Sequence, residues 1–116
     1  MSSASCLFCR IVRREIPAEV VFETERVLAF RDIAPKAPTH VLVIPKQHVV
    51  SVGDATAEDR DLLGDILVAA REVAELEGIR DSGFRTVLNS GADGGQEVLH
   101  LHAHVLGGRA LTWPPG

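Results

Sequence analysis

The chain has 116 residues, 46% of them hydrophobic and 24% charged, which is enough for one domain around one core and too apolar for a disordered segment. Twelve Lys and Arg against sixteen Asp and Glu leave a net charge of −4, and no basic cluster or aromatic-basic stripe could track a polyphosphate backbone, so nucleic acid polymers are excluded as partners. No apolar run approaches the ~18 residues of a membrane helix, so no membrane partner is expected and the expected location is cytoplasmic.

Ser5 can cap a first helix over roughly residues 6–15, which must end before Pro17 because the residue preceding a proline disfavours helical dihedrals. Cys6 and Cys9 then share its face in a C-x-x-C spacing. In a cytosolic chain that spacing fits half of a zinc site or a redox pair better than a structural disulfide. "EVVFE" and "VLAFRD" read as two β-prone runs whose short polar link favours an antiparallel pair. After the proline-rich "IAPKAP", "THVLVIP" is apolar on both faces, as a buried central strand should be. Thr56 and Asp59 form a capping-box pattern ahead of a long amphipathic helix. Leu62, Leu63, Ile66, Leu67, Ala70, Val73 and Ala74 recur at helical spacing until Gly78 stops the run. "FRTVLN" and "EVLHLHAHVL" read as two final strands around "SGADGG". The expected fold is α+β: an antiparallel sheet of about five strands with a short N-terminal helix and one long helix, in a single domain over residues 1–116.

Three of the five histidines fall within five residues, at 100, 102 and 104. Side chains alternate along a strand, so these three should share one face and Leu99, Leu101, Ala103 and Val105 the other, packed on the core. A row of imidazoles serves metal binding, nucleophilic or acid-base catalysis on an anion, or a merely solvated face. Rigid i, i+2, i+4 side chains span about 13 Å, too far for one tetrahedral ion to gather. Upstream, Gly94 and Gly95 in "NSGADGGQE" permit positive φ and close backbone approach, as a nest of N–H groups around an oxyanion requires, and Asn89 adds an amide donor. Glycine nest, amide and neutral imidazoles together suit a small phosphorylated ligand.

"GGQEVLHLHAHVLGGR" resembles the H-x-H-x-H signature of the histidine triad (HIT) superfamily. "CLFCRIVRREIPAEVV", "VLAFRDIAPKAPTHVLVIPKQHV" and "LGGRALTWPPG" resemble its Hint branch, the purine nucleoside phosphoramidases, in the bacterial form with an N-terminal C-x-x-C. The resemblance covers nearly the whole chain. It implies a homodimeric hydrolase that cleaves the P–N bond of AMP-amine and AMP-lysine type compounds, with AMP or GMP as the nucleotide. It makes His102 the nucleophile, forming a nucleotidyl-histidine. It places His104, Asn89, the Gly95–Gln96 turn and Glu97 at the phosphate, with His100 and His40 supporting the triad. His40 is equally readable as a hydrogen-bonded core histidine. Asp32 matches the ribose-binding carboxylate, and Leu7, Phe8, Ile11, Phe30 and Ile33 the purine pocket, although Phe8 and Phe30 would also suit plain core. The resemblance carries the tail, residues 107–116, to the dimer interface, with Trp113 shaping the partner's leaving-group pocket. It implies a structural zinc on Cys6, Cys9, His48 and His100, with no cofactor needed for catalysis. Glu97 departs from the small hydroxyl residue of the animal members, which puts the leaving-group preference in question.

Other functions fit parts of the pattern. A dinucleoside polyphosphate hydrolase or a nucleotidyl transferase would use the same His102 intermediate, but the W-P-P-G ending argues against both. A non-catalytic nucleotide-binding or scaffolding module needs the pocket without the chemistry. A metal-dependent hydrolase would use the triad itself as ligands, and turnover in EDTA would count against it.

Overall fold

The computed structural model describes residues 5–116, so residues 1–4 of the expected domain lie outside it. In chain order the elements are α1 (Leu7–Val12), β1 (Val20–Glu23), β2 (Val27–Arg31), β3 (Thr39–Pro45), α2 (Arg60–Leu76), β4 (Phe84–Leu88) and β5 (Ala103–Gly107). The five strands form one antiparallel sheet in the order β1-β2-β3-β5-β4. This is the α+β architecture expected, with β3 in the centre and buried along its whole length.

The two sides of the sheet do different work. One side carries Val27, Ala29, Val41, Val43, Ala103 and Val105 and packs against Ile66, Ala69, Ala70, Val73 and Ala74 of α2. The other carries Leu28, Phe30, Leu42 and Ile44 and packs against Cys6, Phe8, Cys9 and Ile11 of the short helix. The short helix covers only part of that side and leaves room for a groove. Arg31 of β2 clamps Glu77 beyond the end of α2 through both guanidinium branches, at 2.5 and 3.0 Å.

Four local expectations need correcting. The first helix begins one residue later, with Cys6 as its N-cap in place of Ser5: the Cys6 sulfur accepts the Cys9 N–H at 3.4 Å. It also stops sooner, because Arg14 turns the chain with a φ of 63° ahead of Pro17. In α2, Leu67 is 55% exposed and Ala69 takes the core position. At about 100° per residue, Leu67 lies a quarter-turn from Ile66 and off the buried stripe. Third, β5 is shorter than the sequence pattern, and the stretch 98–102 has left the ladder. Pro45 ends β3 without an N–H to offer, and the Leu101 N–H turns instead to the Val49 carbonyl at 2.6 Å. Fourth, Leu99 is consequently exposed, while Leu101 keeps its core place.

The capping box holds: Thr56 Oγ1 accepts from Glu58 N–H, and the Thr56 N–H donates to Asp59, closing a short 3-10 turn that leads into α2. Replacing Ile66, 1% exposed beneath the centre of the sheet, by Ala should cost about 2–5 kcal/mol and lower the urea midpoint accordingly.

Candidate active site

A groove of about 810 Å³ opens on the α1 side of the sheet, lined by residues from α1, the β2–β3 connection, β3, β5 and the 89–98 loop. Phe8, Ile11 and Phe30 form a buried apolar floor, with Phe8 and Phe30 edge to face at 5.5 Å. These aromatics are core residues that also line a cavity. Leu7 is 45% exposed and Ile33 fully exposed, so these two form an apolar rim. Asp32, His102, His104, Asn89, Gly95 and Glu97 share the groove wall.

The histidines are best understood through their protons. A neutral imidazole has one N–H, and a partner that can only accept or only donate fixes which nitrogen bears it. His102 Nδ1 lies 2.7 Å from the His100 carbonyl, which can only accept. The proton therefore sits on Nδ1, and the Nε2 lone pair is left for the groove. His40 Nδ1 receives the Lys36 N–H at 3.0 Å, so the His40 proton sits on Nε2. His40 Nε2 is 2.9 Å from His104 Nδ1 and donates to it, which leaves His104 with an N–H on Nε2. Side by side are then a ring offering a lone pair and a ring offering a proton, with centroids 5.0 Å apart.

Burial holds two of these rings, His104 and His40, toward the neutral form. It pushes the His104 pKa down to about 4, with the neighbouring His102 and His40 adding to the effect. His40 is lowered too, again chiefly by burial, with Asp32 pulling it partly back. Asp32 itself accepts the Ala34 N–H at 2.8 Å and stands 3.5 Å from His40 Nε2. Asp32, His40 and His104 have the spacing of a metal site. The Lys36 hydrogen bond argues otherwise, because it places a proton on the very nitrogen a metal would need.

His100 is separate from its two neighbours. It is fully buried, and its Nε2–H donates to the Pro45 carbonyl at 2.8 Å, which turns the Nδ1 lone pair away from the groove. That nitrogen meets Cys6 Sγ at 3.3 Å, Cys9 Sγ at 3.5 Å and His48 Nδ1 at 3.2 Å, and Cys9 Sγ meets His48 Nδ1 at 3.2 Å. The expected open histidine face is thus only two histidines wide. Among the described residues no ligand group gathers all three triad histidines; one joins His100 to Cys6, Cys9 and His48, the other joins His104 to Asp32 and His40. Burial, then Cys6, raises the Cys9 thiol to about 11, and burial lowers His100 to about 4. Two adjacent buried sulfurs facing two imidazole nitrogens are poor hydrogen-bonding company and good ligands.

The glycine-rich loop differs from the nest expected of it. Gly95 has a φ of 79°, and a side chain on Gly94 would run into the Ser90 backbone, so both glycines are required. Yet the Gly95 N–H is spent on the Ala92 carbonyl and the Gln96 N–H on Gly91, both within the loop. The Gln96 side chain also turns inward. Its amide donates to the Val50 and Val98 carbonyls, and its oxygen accepts the Gly91 N–H. Gln96 is therefore a brace for the loop and lies off the groove wall, a role that spacing alone does not reveal. Asn89, just past β4, donates one N–H to the Gly94 carbonyl at 2.6 Å, with the second to spare.

The tail crosses β4, where Arg85 donates to the Thr112 carbonyl at 2.9 Å. Trp113 is 81% exposed, and Pro115 reaches the rim of its own chain's groove. No helix among the described residues is long and apolar enough to cross a membrane.

Comparison with known proteins agrees with this geometry. The chain is 54% identical over 114 residues to an uncharacterized HIT-like protein of Synechococcus elongatus, covering 98% of this chain and 99% of that one. It is 49% identical over 118 residues to the 14 kDa zinc-binding protein of Zea mays, covering 100% and 91%. The crystal structure of a HIT family hydrolase from Legionella pneumophila superposes with a TM-score of 0.94 at 54% identity, over 97% of this chain and all of that one. The model of the HIT domain family matches residues 13–111, and the chain belongs to that family.

Proposed function

We propose that the protein is a Hint-type hydrolase that cleaves the P–N bond of purine nucleoside phosphoramidates, releasing an amine and AMP or GMP, in the cytoplasm. The observation that carries this reading is the pairing of tautomers: a lone pair on His102 Nε2 next to an N–H on His104 Nε2, both rings lining one groove. His102 Nε2 attacks the α-phosphorus as the P–N bond breaks. A phosphoramidate nitrogen that arrives protonated leaves as the neutral amine. Water then cleaves the Nε2–P bond, gives its hydroxyl to phosphorus and its remaining proton to solvent, and frees the imidazole with its own proton still on Nδ1. His104 and the spare Asn89 N–H donate to the phosphoryl oxygens as they gain charge, beside Gly95. Asp32 accepts from the ribose hydroxyls, and the purine lies on Phe8, Ile11 and Phe30 under the Leu7 and Ile33 rim. Glu97 faces the leaving group, where it favours a cationic amine. The hydrolase in the name of the Legionella relative supports the reaction class.

The cysteine–histidine cluster fits zinc. With Zn–S near 2.3 Å and Zn–N near 2.05 Å, a tetrahedral site has ligand-to-ligand edges of about 3.3–3.8 Å. Four of the edges in the cluster run from 3.2 to 3.5 Å. His48 Nε2 is buried without a partner, so nothing opposes the tautomer that leaves His48 Nδ1 free to ligate. The zinc-binding Zea mays relative supports the same assignment. Zinc there would hold α1 to the segment before β5 and take no part in the chemistry. A homodimer completes the site. Leu67 and Val68 on the outer face of α2, Leu88 on edge strand β4, and Trp113 are exposed apolar groups that a second copy would cover, bringing Trp113 to the partner's leaving-group pocket.

His102→Ala should lower single-turnover cleavage of an AMP–amine phosphoramidate by several powers of ten and still bind AMP, whereas His104→Ala should cost about 10²–10³-fold. Comparable residual activity in the two variants would sink the assignment of roles. Metal analysis of protein purified without chelator should find about one zinc per chain, and Cys6→Ser should lose it. His104 has a folded pKa near 4 against an ordinary 6.5, and His40 moves the same way, so the unfolded chain takes up protons first as pH falls. Stability from these two rings is complete above about pH 6.5 and is lost progressively toward pH 4. Urea midpoints measured between pH 7 and 4.5 should fall, and His104→Gln should flatten the slope.

A further inference from the structure

We propose that His100 is a positioning residue that couples the metal cluster to the nucleophile: its ring, held on the metal, fixes the backbone carbonyl that sets the tautomer of His102. The proposal rests on the readings of the cluster as a zinc site and of His102 as the attacking group.

Residue 100 lies outside every strand, since β5 begins at Ala103. The ladder therefore does not hold the His100 carbonyl. Its neighbour's N–H is tied to Val49, and its own ring donates to the Pro45 carbonyl through Nε2. The remaining anchor is Nδ1, which sits among Cys6, Cys9 and His48. With all three in place, residue 100 is held from both ring nitrogens and from the chain beside it. Its carbonyl then meets His102 Nδ1 at 2.7 Å. Without the metal, the contacts around Nδ1 are sulfur and a second imidazole nitrogen, which do not define one ring position. A hydrogen bond weakens steeply with misalignment. In the alternative His102 tautomer the groove would receive an N–H in place of a lone pair, and attack on phosphorus could not begin.

A second contact runs the same way. Phe8, on the helix that carries both cysteines, packs edge-on against the His100 ring at 5.9 Å and the His102 ring at 5.2 Å. The metal fastens that helix at Cys6 and Cys9, one residue on either side of Leu7 and Phe8. One ion thus fixes both the hydrogen bond behind the nucleophile and the aromatic wall against it. Supporting groups of this kind typically change activity by about 10–100-fold when removed.

The test compares zinc-loaded and chelator-stripped protein labelled with nitrogen-15. In the loaded chain the His102 ring should show a single pattern with the proton on Nδ1, and in the stripped chain a mixture of the two tautomers. A purely structural zinc would not produce that change. The single-turnover rate with an AMP–amine phosphoramidate should fall about 10–100-fold on stripping and return with added zinc. A stripped, folded chain that keeps the Nδ1–H pattern and its rate would overturn the proposal. Should the stripped chain unfold, cadmium-113 in place of zinc keeps the question open to measurement in the folded protein. Coupling is reciprocal, so AMP binding should shift the cadmium resonance, and an unmoved resonance overturns the proposal equally. A loaded protein inert toward phosphoramidates would refute the functional reading instead, and the tautomer comparison would still decide the coupling.

Discussion

A neutral imidazole has a single proton to place, and in this protein the main chain makes that choice directly for three rings and, through His40, for a fourth. The His100 carbonyl takes the His102 proton, the Lys36 N–H forces the His40 proton to Nε2, and the Pro45 carbonyl takes the His100 proton. His104 inherits its state from His40. Four rings that look interchangeable in sequence become a lone pair facing the groove, an N–H beside it, the donor that sets that N–H, and a lone pair facing two sulfurs. For His40, His100 and His104 burial enforces the arrangement, because it disfavours the charged form in which both nitrogens would donate and the distinction would vanish.

The sheet makes this possible by giving its two sides unequal cover. α2 seals one side with a continuous apolar stripe, and the short α1 covers the other only in part. β3 must therefore be apolar on both faces, and His40 stands at its end nearest the β2–β3 connection, where the Lys36 N–H can reach it. At the other end Pro45 halts the ladder and frees a carbonyl for His100. One strand thus supplies the relay at one terminus and the anchor at the other, and the groove lies between them.

Much of this was legible in the sequence. The β-prone run "VLAFRD", the apolarity of "THVLVIP" on both faces, the Thr56 box and the Gly78 stop each correspond to an element of the structure. What was not legible depends on partners distant in the chain. A strict period of two placed all three triad histidines on one open face, but the pattern cannot register that Pro45, some 55 residues away, ends the ladder. Leu67 and Leu99 were misplaced for related reasons, one by counting an apolar residue a quarter-turn off the stripe and the other by extending a strand beyond its neighbour. Gln96 was placed at the phosphate by the family resemblance, as part of the Gly95–Gln96 turn. Its amide is occupied by Val50, and no local rule reports such a contact. Cys6 and Cys9 were more informative, since their spacing already limited what two sulfurs on one short helix could do.

The neutrality of the site bears on how it would work. Donors without formal charge interact modestly with a phosphate that is already anionic and more strongly as its oxygens gain charge in the transition state. Of the two cations along the groove, Arg31 is engaged by Glu77 and Glu19, so it is not free to grip a nucleotide. Glu97 on the wall would oppose a phosphate at rest and attract a positive leaving nitrogen. Under the proposed reaction, binding of the reactant would thereby be kept from outrunning binding of the transition state, and a released nucleotide dianion would meet a carboxylate that has no hold on it.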